Sequence, residues 1–172
     1  PLSKKMTNGN SLVFRDHNFM ADLSKALDWQ GPVAVDNDAN CFLRGEVTFS
    51  SDVAAERRRS ERPSFSAVGV ILGTGVGASF YADGQYLLGR NGSALELGHI
   101  ELWSAGLSCY CGGEGCVEQY LSGPALEAAY ACRLYQQIER RPSSKEIFSL
   151  ARAGEPLAVA VVKKYRRDLV KF

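Results

Sequence analysis

Cys109-Tyr110-Cys111-Gly112-Gly113-Glu114-Gly115-Cys116 places three thiols within eight residues, with glycines between them. Glycine lets a backbone fold its sulfurs inward, so the segment suits a tetrahedral metal site that lacks one ligand. The chain has two histidines: His99 lies ten residues before Cys109, whereas His17 lies far upstream. His99 with the three thiolates makes a closed set that fits zinc, and a closed set holds structure and leaves no position for a reacting group. A disulfide with one thiol left over, or three unbound thiols, are the alternatives. Cys41 and Cys132 fall in helical stretches, where they are expected to be small buried hydrophobes.

A second chemistry is written upstream. Gly73-Thr74-Gly75-Val76-Gly77-Ala78 formally fits G-x-G-x-x-A, but a dinucleotide loop must open a helix, and Ser79-Phe80-Tyr81 followed by Asp83-Gly84 reads as strand and turn. No G-x-x-x-x-G-K-[ST] occurs. The segment suits a hairpin turn, either nothing more than a turn or one whose N–H groups and Thr74 hydroxyl hold phosphate oxygens. Asp38, beside Asn37, stands where a strand runs into a helix, and its carboxylate suits a helix cap or a general base at a cleft edge. Glu96, His99 and Glu118 flank the cysteine segment, so an ion bound there would fix all three. Such a group of acceptors suits the hydroxyls of a sugar.

These residues need elements to hold them. Residues 1–18 read as polar loop, and Phe19, Met20, Leu23 and Leu27 give a short amphipathic helix closed by Gly31-Pro32. Val33-Ala34-Val35 predicts a brief strand leading through Asp36-Asn37-Asp38 into a helix from Ala39 to about Val47. Thr48 to Ser66, with Glu56-Arg57-Arg58-Arg59-Ser60-Glu61-Arg62-Pro63 inside it, reads as a solvated loop. Ala67–Leu72, Ala78–Tyr81 and Tyr86–Leu88, separated by the glycine turn and an Asp-Gly turn, predict an antiparallel meander. Helices follow at Val117–Leu121, Pro124–Ile138, Ser143–Ala153 and from Glu155 onward, with Ser143 and Glu146 at capping-box spacing and Gly154 as a stop.

Composition narrows the partner. The chain has 172 residues, 45% of them hydrophobic and 23% charged, which argues against disorder. A formal charge of +1 steers neither a nucleic acid nor a phospholipid surface, so the expected partner is small. No apolar run reaches the ~18 residues of a membrane span, and no signal peptide is evident, so a cytoplasmic protein is expected. The chain opens at Pro1 without Met and stops at Phe172 within a helical pattern, as a fragment would.

In this order, the motifs resemble those of the ROK group of bacterial sugar kinases and sugar-responsive repressors. Asn37-Asp38-Ala39-Asn40 resembles the catalytic motif, Leu72-Gly73-Thr74-Gly75-Val76-Gly77 the second phosphate loop and Glu96-Leu97-Gly98-His99 the E-x-G-H sugar motif. Cys109 to Glu118, ending in Leu121-Ser122-Gly123, resembles the zinc signature. The resemblance implies an α/β protein of the actin-like ATPase (ribonuclease H-like) fold, incomplete in this chain. Residues 1–32 would be the end of the N-terminal lobe and the crossover. Residues 33–172 would be the sugar- and phosphate-binding C-terminal lobe with its zinc-stapled loop, lacking its C-terminal end.

What the resemblance implies for activity is ATP-dependent phosphorylation of a hexose 6-hydroxyl. Asp38 would take the proton from the attacking hydroxyl, and Asn10, Asn37, Glu96, His99 and Glu118 would bind the sugar. Gly73, Thr74, Gly75, Val76 and Gly77 would lie along the ATP phosphates, with Mg2+ neutralising charge. His99, Cys109, Cys111 and Cys116 would hold structural Zn2+. A homodimer is also implied, with no nucleic acid and no membrane as partner. Asn8-Gly9-Asn10-Ser11 leans toward fructokinase or mannokinase, and Asn37 to Phe42 with Leu72 to Gly77 toward N-acetylglucosamine kinase; the balance tips slightly to fructokinase. A repressor, which tends to lose the Asn-Asp pair and G-T-G loop kept here, and a non-catalytic sugar- or zinc-binding module are the readings of another class. Three departures stand out: Leu95 where the family usually has Gly, a longer loop at Thr48–Ser66, and no D-x-G-G-T loop or later glycine pair, so the isolated chain is expected to have little activity.

Overall fold

The first periodic segment forms its helix in the computed structural model, which describes residues 17–33, 35–59, 65–89, 94–134 and 141–172. Chain contacts separate two units, Pro1–Asn37 and Asp38–Phe172. In the first, α1 (Phe19–Ala26) starts behind Asn18, whose side chain accepts the Ala21 N–H at 3.3 Å and so satisfies one open donor of the first turn. The strand expected at Val33–Val35 does not form at Val33 or Val35. So short an apolar run holds as a strand only with a hydrogen-bonded neighbour, and no described strand pairs with it.

The second unit is built on a three-stranded antiparallel sheet in the order β1-β2-β3, with β1 at Ser66–Leu72, β2 at Val76–Ala82 and β3 at Gln85–Tyr86. Pairing of Leu72 with Val76 leaves Gly73-Thr74-Gly75 as the hairpin loop, and pairing of Tyr81 with Tyr86 fixes the next turn. That turn takes Asp83 at φ 50° and Gly84 at φ 84°, the positive pair that matches strand twist. β3 is shorter than the run to Leu88 suggests, although the Leu87 N–H still donates to the Phe80 carbonyl at 2.9 Å.

Helix α2 (Asp38–Phe49) buries Ala39, Leu43 and Val47, an i, i+4 stripe, and Leu43 and Val47 share a core with Tyr81 of β2. Cys41 lies off that stripe and is exposed, as is Cys132 just beyond the last turn of a later helix, so neither is the buried hydrophobe expected. The segment read as a solvated loop contains α3 (Ser51–Arg59). Ser50 explains its start: the hydroxyl accepts the Val53 N–H at 3.4 Å, ahead of alanine, glutamate and arginine, all good helix formers.

After a short 3-10 turn at Leu97–His99, the cysteine segment folds as a knuckle in which the Cys109 N–H donates to the Gly113 carbonyl at 2.8 Å and Gly112 N–H to the Cys109 carbonyl at 3.0 Å. Helices α4 (Glu118–Leu121), α5 (Gly123–Ala131), α6 (Ser144–Arg152) and α7 (Pro156–Lys171) follow. The capping box at Ser143 and Glu146 is formed, and Gly154 takes φ 84° after α6. α5 ends at Ala131, short of Ile138; residues 135–140 lie outside the described ones. Leu126, Tyr130, Ile147, Ala158 and Val161 give α5, α6 and α7 a core of their own. A second cluster, Val76, Leu102, Val117 and Leu121, ties the start of β2 to the knuckle and α4. Among the described residues no helix is long and apolar enough to cross a membrane.

Candidate active site and metal centre

Four elements of the second unit converge on the β1–β2 turn. Asp38 opens α2 and is exposed; its Oδ1 accepts the Ala39 N–H at 2.9 Å, so it occupies one open donor of the helix start. A Cβ at Gly77 would come within 3.8 Å of that same oxygen, which places the carboxylate beside the first residues of β2. Helix α2 is held there by a buried hydrogen bond, Ser79 Oγ to Asn40 Oδ1 at 2.7 Å. From α4, Glu118 reaches back across 42 positions and accepts the Val76 N–H at 2.9 Å. Gly75 leaves room for it, since a Cβ there would meet Glu118 Oε2 at 2.5 Å. Gly98 lies flush on the Val76 carbonyl, where a Cβ would clash, and so brings the E-x-G-H segment against the turn. Lastly, the Gly123 N–H at the start of α5 donates to the Gly73 carbonyl at 2.8 Å.

The second centre adjoins the first. One ligand atom from each of His99, Cys109, Cys111 and Cys116 lies within 4.8 Å of all the others. Cys109 Sγ is 3.6 Å from His99 Nδ1, and Cys111 Sγ is 3.6 Å from Cys116 Sγ. A tetrahedron with metal–sulfur bonds near 2.3 Å has edges of about 3.8 Å, so the two 3.6 Å separations match zinc and the widest, up to 4.8 Å, would close on binding. Burial pushes the Cys116 thiol up to about 12, helped by hydrogen bonds and negative charge from its two cysteine neighbours. Burial acts against the Cys109 thiolate as well, but hydrogen bonds from Cys111, His99 and Gln119 outweigh it and bring that thiol down to about 7. An ion bound there would hold all three sulfurs as thiolates and so release protons on binding.

Of the residues singled out from sequence, Asp38 and Glu118 lie against the Gly73–Gly77 turn and His99 lies with the three cysteines, all within the second unit. Glu96 is exposed on the turn before His99, and its charge is felt at Tyr110. Asn37 ends the first unit, with its N–H donating to Asp36 Oδ1 at 2.8 Å, and Asn10 lies outside the described residues. His99 Nε2 lies 3.2 Å from the Tyr110 hydroxyl.

A family model for the ROK family matches residues 3–172. The chain belongs to the ROK family. ROK relatives include the N-acetyl-D-glucosamine kinase of Yersinia pestis, 36% identical over 159 residues, covering 84% of this chain and 55% of the relative. That of Shigella boydii is 34% identical over 155 residues, covering 84% of this chain and 46% of its own length. The chain thus spans about half the length of the curated relatives it matches. Among solved structures, a ROK family glucokinase from Streptomyces griseus in complex with glucose and AMPPNP superposes with a TM-score of 0.73 at 27% identity, covering 95% of this chain and 53% of that one. A ROK family transcriptional regulator superposes at 0.69 and 29%, covering 90% of this chain and 38% of the regulator. The fold is that of the ROK sugar kinases, the actin-like ATPase fold, with its sheet only partly represented in this chain.

Sequence reasoning missed several residues that lie around this candidate site. Asn40 and Ser79 are small polar residues within otherwise apolar elements, a signal that was available. Tyr110 stands at the variable position of Cys-x-Cys and gave none. Asp168 of α7 is buried and takes Lys164 Nζ at 2.6 Å, both lining a cavity of about 820 Å3 that reaches Thr74, Tyr110 and Glu118; its i, i+4 spacing to lysine was visible.

Proposed function

We propose that the protein carrying this chain is an ATP-dependent sugar kinase, and that N-acetylglucosamine is the first hexose to test. The single observation that best supports this is the convergence on the glycine turn, with Glu118 bonded to Val76 N–H on one side and Asp38 beside Gly77 on the other. Here the substrate assignment moves from the slight lean to fructokinase toward its alternative, because the relatives at 34–36% identity are N-acetyl-D-glucosamine kinases.

In this reading Asp38 accepts the proton of the sugar hydroxyl as its oxygen attacks phosphorus. Its exposed position at a helix start suits a group that must meet substrate. Glu96, His99 and Glu118 orient the sugar, and Asn10 and Asn37 are assigned to it on the resemblance alone. The N–H groups and Thr74 hydroxyl of Gly73–Gly77 hold ATP phosphates, and catalysis is chiefly positioning and electrostatics. Bound Mg2+ would neutralise charge on those phosphates. Zinc on His99, Cys109, Cys111 and Cys116 would be structural, fixing the knuckle from which Glu118 projects. The division into a lobe ending near residue 32 and a sugar- and phosphate-binding lobe, a cytoplasmic location, homodimer formation and independence of nucleic acid and membrane belong to the same proposal.

The test is a coupled assay of the full-length protein against N-acetylglucosamine, glucose, mannose and fructose, with Asp38→Ala alongside. Turnover on one hexose, abolished in Asp38→Ala while sugar binding persists, is the expected result; retained turnover in the variant would reassign the base. The likeness to a transcriptional regulator keeps a repressor as the second reading. Robust hexose-dependent ATP consumption disposes of it.

A further inference from the structure

Helix α4 is a single turn, and its first two residues serve different centres. Glu118 accepts the Val76 N–H of the glycine turn at 2.9 Å. Gln119, the next residue, directs its side-chain amide to the metal knuckle, with Nε2 3.4 Å from Cys109 Sγ. Its backbone N–H donates to the Cys116 carbonyl at 2.9 Å, so Gln119 is tied to two of the three cysteines. The residue is half-buried and belongs neither to the donor set nor to the proposed phosphoryl transfer.

Donor and acceptor rules orient this contact. A primary amide carries its N–H donors on nitrogen and its lone pairs on oxygen, whereas a thiolate only accepts, so the nitrogen faces the sulfur. Cys111 Sγ receives a donor of the same length from the backbone, the Gly113 N–H at 3.4 Å. That backbone donor comes with the fold of the knuckle itself, while the Gln119 amide is brought from a separate element. Three thiolates carry more negative charge than one divalent ion cancels, and N–H donors on the sulfurs offset the excess without taking a coordination position.

We propose that Gln119 is a positioning residue of the metal centre: its amide N–H donates to the Cys109 thiolate and so tethers α4, and with it Glu118, to the metal knuckle. The inference rests on the reading of His99, Cys109, Cys111 and Cys116 as a zinc site. Glu118 and Gln119 are neighbours on one helical turn, so holding the amide on sulfur also holds the carboxylate on Val76.

Two variants of the full-length protein test the idea. Gln119→Met keeps the length of the side chain and removes the donor, and Gln119→Glu keeps the shape but sets an acceptor against the thiolate. Zinc affinity, measured by competition with a chromophoric chelator, should fall about tenfold in Gln119→Met and further in Gln119→Glu, within the range of about 10–100-fold for outer partners of metal ligands. Co2+ bound in place of zinc gives a readout that a packing role alone would not move. Loss of the N–H donor raises the energy of the sulfur lone pairs, so the thiolate-to-Co2+ charge-transfer band should move to longer wavelength in both variants, with an unchanged far-UV circular dichroism spectrum. Zinc affinity within about twofold of wild type in both variants would overturn the inference, as would a charge-transfer band at the wild-type wavelength in Gln119→Met. A wild-type protein that binds neither zinc nor Co2+ is a distinguishable failure: it refutes the zinc reading itself, and the role of Gln119 with it.

Discussion

Replacing Gly75 by alanine separates the stability of this fold from the geometry of its site. The added Cβ would lie 2.5 Å from Glu118 Oε2, about 0.9 Å short of ordinary van der Waals separation. The obstacle is the end of a flexible side chain, so the carboxylate gives way and the backbone does not. Moving Oε2 outward by that amount from its 2.9 Å bond takes the Val76 N–H out of hydrogen-bonding range. Loss of a bond to a charged acceptor costs about 1.5–3 kcal/mol, whereas alanine recovers about 0.4–1 kcal/mol by restricting the unfolded chain. The net destabilisation is roughly 0.5–2.5 kcal/mol, a fall in Tm of roughly 1–10 °C for a domain of this size. Function should suffer more: Glu118 is the proposed sugar ligand, and a misplacement near 1 Å costs on the order of 10²-fold. Steady-state kinetics of the full-length protein should show kcat/KM for the sugar falling by that order, with the KM for ATP changing no more than about twofold. Gly45→Ala in α2 is the control, since no heavy atom lies within 4 Å of its added Cβ; it should leave kinetics intact and raise stability by about 0.5–1 kcal/mol. If Gly75→Ala instead raises the KM for ATP and leaves sugar kinetics alone, the turn acts through phosphate and the argument through Glu118 fails.

Two further changes probe the supports of the site. Leu95 precedes the E-x-G-H segment with φ at 63°, a left-handed backbone that is about 1–2 kcal/mol unfavourable for a residue with a Cβ. Leu95→Gly should therefore raise Tm by about 1–4 °C after glycine's own entropic cost; a fall of similar size in thermal melts would mean that the leucine side chain packs better than its backbone strains. Ser79→Ala removes the buried hydroxyl bonded to Asn40 Oδ1, and urea unfolding should report a loss of about 1–3 kcal/mol. An unchanged midpoint would show that this bond does not anchor α2 on β2.

Legibility in the sequence followed the length of the chain between partners. The metal donors lie within one segment from His99 to Cys116, and there spacing and residue type sufficed to propose the set that the fold gathers within 4.8 Å. The meander was readable for the same reason, because Gly73–Gly75 and Asp83-Gly84 are local turn chemistry flanked by β-branched and aromatic residues. α3 was misread because its charges were weighed as solvation, while the cap at Ser50 and the run of helix formers after it were passed over. Cys41 was misread because helical content was taken for burial, although the stripe of Ala39, Leu43 and Val47 leaves position 41 on the other side.

The contacts that turn these pieces into a site span distances that no periodicity encodes. Glu118 and Val76 are 42 positions apart, and Ser79 and Asn40 are 39 apart. Only the order of motifs hinted that they meet, and it named the residues without the bonds. β2 begins at Val76, and its N–H donates to Glu118, the first carboxylate after the cysteine knuckle. The knuckle that carries the candidate metal donors is followed at once by the residue whose carboxylate accepts the Val76 N–H, so on the proposed reading a structural metal and the glycine turn would act as one mechanical unit.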